Sequence, residues 1–134
     1  MLPNNESSFH VKVSGNRTKQ SYEGDFIVKT YLTNAELIDV GLRFDTYNRG
    51  SQTVGTGISL LNRAMAELEV RVLKAPSWWK DSDHGRNLFD TNVVLELFNK
   101  VMDAESAYGD KMEEAGKAAD KAAEASTSKK KKEA

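Results

Sequence analysis

Few side chains in this sequence have both the type and the spacing that chemistry needs. Asp81, Asp83 and His84 lie together in the segment DSDHG, two carboxylates and an imidazole that could approach a divalent ion. Calcium asks for six or more oxygens and zinc for a closed set of spaced ligands, and neither set is completed nearby. A solvated turn is the expectation. The segment GSQTVGTG, from Gly50 to Gly57, has the glycines of a phosphate-binding loop and precedes a helical pattern. It lacks the lysine that follows in such loops, and no strongly apolar strand leads into it, so it reads as a flexible connection between helices. His10 has no acid or nucleophile that the sequence can pair with it, which leaves no triad to argue. There is no cysteine, and this excludes disulfides, thiolate zinc sites and cysteine nucleophiles together. These residues support no enzyme, no metal site and no cofactor.

The elements that would position any site are organised around one helix. From Gly57 onward, Ile58, Leu61, Met65, Leu68 and Val72 recur at three- and four-residue intervals and line one stripe, while Arg63, Glu67, Glu69 and Arg71 mostly face elsewhere. Pro76 denies the next turn a backbone donor and stops the helix. Trp78 and Trp79 follow at once. Leaving an extended segment, adjacent side chains point opposite ways, so one indole would enter the core and the other would stand at the surface as a partner anchor. Packing of both rings over neighbouring helix ends is an equal alternative.

Before that helix, FHVKV from Phe9 and DFIVK around Phe26 and Val28 alternate like strands, joined by SGNRTKQSYEG, which reads as a flexible arm. Thr33 and Glu36 form a capping-box pattern that opens a helix with Leu37, Val40, Phe44 and Tyr47 on its apolar face, widened by Ile38 and Leu42. After the irregular stretch SWWKDSDHGRNLFD, Asp90 or Thr91 caps a third helix whose buried stripe is Val94, Leu97, Phe98, Val101 and Met102, continued by Tyr108. Beyond Gly109 come Ala115, Ala118, Ala119, Ala122 and Ala123 at helical spacing among alternating charges, with Glu113 and Lys117 suitably placed to pair. Alanine stripes bury little, so this segment should sharpen against a partner.

A chain of 134 residues with 39% hydrophobic and 29% charged residues and a net charge of -1 is expected to form one modest domain. The expected class is α+β: an N-terminal two-stranded β ribbon packed on a bundle of three main helices, then an Ala/Lys/Glu-rich helix. The boundaries are a flexible N-terminus at 1–8, a globular domain at 9–108, the charged alanine-rich helix at 109–126 and a disordered lysine-rich tail at 127–134. Near-neutral charge gives no global pull towards nucleic acid, and the lysines at 129–132 have no interleaved aromatics to stack bases, so a solubilising tail is favoured. No apolar run reaches the roughly 20 residues of a membrane span, and MLPNNESSFH lacks the regions of a secretory signal.

In the order of YEGDFIVKTYLTNAE, AELEVRVLKAPSWW and LFDTNVVLELFNKVMDAE, across residues 22–124, the chain resembles the tail assembly chaperones of long-tailed bacteriophages. The resemblance implies a non-enzymatic protein of the host cell cytoplasm that coats the tape measure protein, helps recruit tail tube protein and leaves the finished particle. Trp78 or Trp79 and the stripe Ala115, Ala118, Ala119, Ala122, Ala123 would then be the partner-binding residues, and a homo-oligomer is open. Such proteins are often made in two lengths by frameshifting, which gives the lysine run a second meaning as slippery RNA. The alternatives are a permanent virion component, such as a head decoration, connector or tail subunit, and a nucleic-acid-binding accessory protein.

Overall fold

The computed structural model describes the backbone of residues 4–51 and 53–133 and the side chains of its last helix as far as Glu124. The first three residues of the expected loose N-terminus, Gln52 of the glycine-rich loop, and the side chains of the lysine run at 129–132 lie outside the described residues. The element order is β1 (Glu6–Ser14), β2 (Ser21–Lys29), α1 (Asn34–Tyr47), α2 (Thr56–Arg71), β3 (Val72–Lys74), α3 (Ser77–Asp81) and α4 (Thr91–Glu133). This is an α+β fold in which an N-terminal antiparallel ribbon packs on a bundle of helices.

β1 and β2 pair from Glu6↔Lys29 to Ser14↔Ser21. The ladder starts ahead of Phe9 because backbone pairing continues through Ser7 and Ser8, where apolar alternation has not yet begun. Val11, Val13, Tyr22, Phe26 and Val28 turn inward against Ala64, Met65 and Leu68 of α2, Trp79 of α3, and Val93, Val94, Leu97 and Val101 of α4. The hairpin loop is closed rather than an arm: Gly15 donates to the carbonyl of Gln20 at 2.8 Å, and Asp90 holds it from the other side.

The central helix ends one residue before its expected stripe does. Val72 turns extended and pairs with Val28, adding β3 to the free edge of β2. The edge of an existing strand offers backbone partners to a β-branched residue that a frayed last helical turn does not. Glu67 and Arg71, expected to face away from the core, are buried at 4% and 2% exposure. They are neutralised in place: Arg71 Nε donates to Glu67 at 2.7 Å and Nη2 to Glu105 of α4 at 3.0 Å, while Nη1 reaches the Thr30 carbonyl. One guanidinium thus joins the end of β2, α2 and α4.

α1 opens as expected, with Glu36 N donating to Thr33 Oγ1 at 3.2 Å and Thr33 N to Glu36 Oε1 at 3.0 Å. Its packing departs from the expectation: Val40 is buried, but Leu37, Ile38 and Leu42 are exposed. α4 continues without a break through Gly109. Lacking a side chain, Gly109 does not stop the helix but admits Tyr31, whose hydroxyl would lie 3.0 Å from a Cβ there and whose ring packs edge-on against Tyr108.

Candidate functional site

The two tryptophans leave a helix, α3, and not an extended segment, so their rings do not diverge to opposite faces. Trp79 is wholly enclosed against Phe26, with ring centres 5.8 Å apart. Its indole N–H has no acceptor among the described residues, so packing alone holds the ring. Trp78 is half-buried over Tyr22 and Phe26, and its Nε1 donates to the Glu23 carbonyl at 2.9 Å. Both rings belong chiefly to the sheet–helix junction. Ala115, Ala118, Ala119, Ala122 and Ala123 are all exposed on the part of α4 beyond Tyr108.

The DSDHG segment is a turn that seats Trp79. Asp83, His84 and Gly85 are successive left-handed residues with φ of 55°, 56° and 82°. A Cβ on Gly85 would lie 2.5 Å from the Trp79 ring, so glycine is required there on two counts. Asp81, Asp83 and His84 are exposed around it, and no cluster of three or more His, Cys, Asp or Glu suited to a metal occurs among the described residues. The Gly50–Gly57 loop follows a helix rather than a strand, which removes the setting of a phosphate-binding loop. His10 does have acid partners that the sequence left unpaired: Asp25 Oδ1 at 2.7 Å from Nδ1 and Glu23 Oε1 at 2.9 Å from Nε2, across the exposed face of the ribbon. Hydrogen bonding to Asp25, then to Glu23, raises the imidazole pKa above its ordinary 6.5. Strand alternation placed these three on one face, a signal readable in principle from HVK and YEGD.

Asp90 directly precedes α4, as expected of a cap, but its carboxylate turns to the hairpin loop. It accepts from Arg17 N at 2.8 Å, Thr18 N at 2.9 Å, Thr18 Oγ1 at 2.5 Å and the Tyr22 hydroxyl at 3.0 Å. Burial pushes this carboxyl up, but the bonds from the Thr18 hydroxyl and the loop amides outweigh it and hold the group at about 2. Asp90 is a structural staple.

A candidate binding surface lies at α1. Val40, Phe44 and Tyr47 turn towards α2, whereas Ile38 and Leu42, one turn apart, point away and are 66% and 62% exposed. Leu42 leads into a cleft of about 380 Å³ walled by Arg43, Thr46, Tyr47, Arg49, Glu69 and Arg86. Tyr47 and Arg86 also wall an adjoining cleft of about 200 Å³ with an apolar floor of Leu61, Met65, Leu88 and Val94.

The polar groups of these clefts are partly spent. Arg43 donates to Glu69 at 2.8 Å, and the Tyr47 hydroxyl donates to the same carboxylate. Burial, and then that carboxylate, pushes the Tyr47 phenol up to about 12, so it stays a neutral donor. Arg86 lies 5.2 Å from the Tyr47 ring centre, with half of its side chain exposed. Arg49, in a left-handed turn with φ of 54°, has no hydrogen bond or ion pair for its guanidinium among the described residues. The arrangement sets exposed apolar side chains beside guanidinium groups. The signal for it was present in α1, where Ile38 and Leu42 fall nearly opposite Val40 and Phe44 on a helical wheel.

Comparison with protein-family models, with curated proteins and with solved structures gave no match. The assignment of a function therefore rests on this geometry and on the residues themselves.

Proposed function

We propose that this protein is an assembly chaperone that holds a client polypeptide against the outer face of α1 and the arginine-walled clefts beside it, making and breaking no covalent bond. The observation that carries the reading is the pair Ile38 and Leu42, exposed on a helix whose opposite face is packed and continuous with Tyr47, Arg49 and Arg86. Isolated apolar residues on a surface need no explanation, but an apolar stripe running into a cleft walled by three arginines, of which Arg43 and Arg86 are paired and Arg49 has no ion-pair partner among the described residues, suits an amphipathic acidic segment. The resemblance in sequence names the tape measure protein as that client and tail tube protein as a second partner, with the work done in the host cytoplasm.

A second reading, a permanent virion subunit, is favoured by the open edge of β1, which could extend a neighbouring sheet. Co-expression with the tape measure protein separates the two. A chaperone raises the soluble yield of the client, co-purifies with it and is missing from purified particles. A virion subunit appears in particles at fixed copy number. A client whose solubility and purification are indifferent to this protein contradicts the chaperone reading.

A further inference from the structure

The ribbon leaves one long edge open, and its hydrogen-bond phase can be worked out. Thr30 N donates to the Asn5 carbonyl at 2.9 Å and Gly15 N to the Gln20 carbonyl at 2.8 Å, at the two ends of a ladder with no register shift. Antiparallel pairs alternate between bonded and non-bonded, so the odd-numbered residues of β1 bond to β2 and the even-numbered ones aim their N–H and C=O groups outward. Two of those outward groups are occupied: Glu6 N donates to Asn4 Oδ1 at 3.3 Å, and the Ser14 carbonyl accepts from Asn92 Nδ2 at 2.9 Å. Between them, the outward backbone groups of Ser8, His10 and Lys12 have no partner among the described residues. Edges of this length are ordinarily blunted by proline, a bulge or a covering element. β1 has neither proline nor bulge, and α4 covers only its far end.

We infer that β1 is a self-association edge, on which the β1 strand of a second copy of this chain pairs antiparallel about a two-fold axis at Phe9. The choice of a second copy follows from the strand's own complementarity. With the axis at Phe9, Glu6 faces Lys12 of the partner subunit, and the reciprocal contact repeats it. Ser8 and His10 exchange backbone bonds with their counterparts, and the two half-buried Phe9 rings meet on the inner face. Moving the axis to His10 sets two imidazoles opposite each other. It also brings Glu6 against Ser14, whose carbonyl Asn92 already holds. The pairing joins two three-stranded sheets into one continuous sheet and leaves the α1 face untouched.

The test is sedimentation of the full chain over a concentration series into the millimolar range, with five substitutions. Ser8→Pro removes an outward N–H and no ladder bond, so it should give a monomer with unchanged far-ultraviolet dichroism. Glu6→Lys should weaken association roughly tenfold, and Glu6→Lys with Lys12→Glu should restore it. Because the chain has no cysteine, Phe9→Cys provides one thiol at the axis. It should cross-link to a covalent dimer on mild oxidation, where His10→Cys should not. A chain that stays monomeric throughout overturns the inference. So does a dimer indifferent to Ser8→Pro, equal cross-linking through His10→Cys, or β1 amides that gain exchange protection only when a different protein is added.

Discussion

The side of the molecule around the β-ribbon and the side around α1 use their apolar residues in opposite ways. At the ribbon, Phe9, Tyr22, Phe26, Trp78 and Trp79 form a run of ring contacts with centres 5.2 to 6.2 Å apart, and Asp90 ties the hairpin loop to the start of α4. At α1, the capping box secures the helix end, yet Leu37, Ile38 and Leu42 face solvent. The contrast separates anchoring the fold from meeting a partner. The residues that most resemble interface anchors, two adjacent tryptophans, are largely consumed in building the core. On α1, by contrast, plain aliphatic side chains stay exposed.

The largest effect expected from breaking this contrast is at Trp79. Trp79→Ala empties a fully enclosed site and should cost about 3–5 kcal/mol in chemical denaturation. Trp78→Ala removes a half-buried ring and one hydrogen bond and should cost about 1–2 kcal/mol. Equal losses at both positions would mean that the two rings share one structural role.

A second effect comes from pH. Asp90 and Glu36 are both held at about 2, below their ordinary 3.8 and 4.5. Glu36 is lowered first by its bond from Lys29 and then by the Thr33 amide. Since folding depresses both, their contribution is present above about 4.5 and is lost as pH falls towards 2. His10 has the opposite sign: raised in the fold, it stabilises fully below 6.5 and fades as pH rises through its folded value. Urea midpoints should therefore be flat between about 4.5 and 6.5 and fall on both sides, with the acid limb shallower in Asp90→Asn and the neutral-to-alkaline limb flattened in His10→Gln.

The smallest thermodynamic effect is expected at the exposed stripe. Ile38→Ser with Leu42→Ser should change stability by no more than about 0.5 kcal/mol, because neither side chain is packed. A larger loss in urea unfolding would place these residues in the fold rather than at its surface.

Local rules made much of the fold legible. Thr33 and Glu36 announced the start of α1, period-two alternation marked both ribbon strands, and Val94, Leu97 and Val101 lined the buried side of α4. What local pattern could not supply was the destination of groups satisfied across the fold. Arg71 read as solvated because two of its partners, Thr30 and Glu105, are distant in sequence, and Glu67 is buried along with it. Asp90 read as an ordinary cap because nothing adjacent reveals that the hairpin loop will present amides to it. Val72 left the helix for an edge that exists only once β2 is in place. The candidate surface was legible in part: the opposed stripes of α1 were there to be seen, but Arg86 meets Tyr47 only through tertiary packing.

If the outer face of α1 is the working surface, the Ile38→Ser, Leu42→Ser variant will fail in a client capture assay. This variant should fold as the parent does but retain at most about a tenth of the parent's tape measure protein, in line with the loss of two exposed apolar anchors. Undiminished capture by that variant, with capture abolished instead by a folded Trp78→Ala protein, would contradict it.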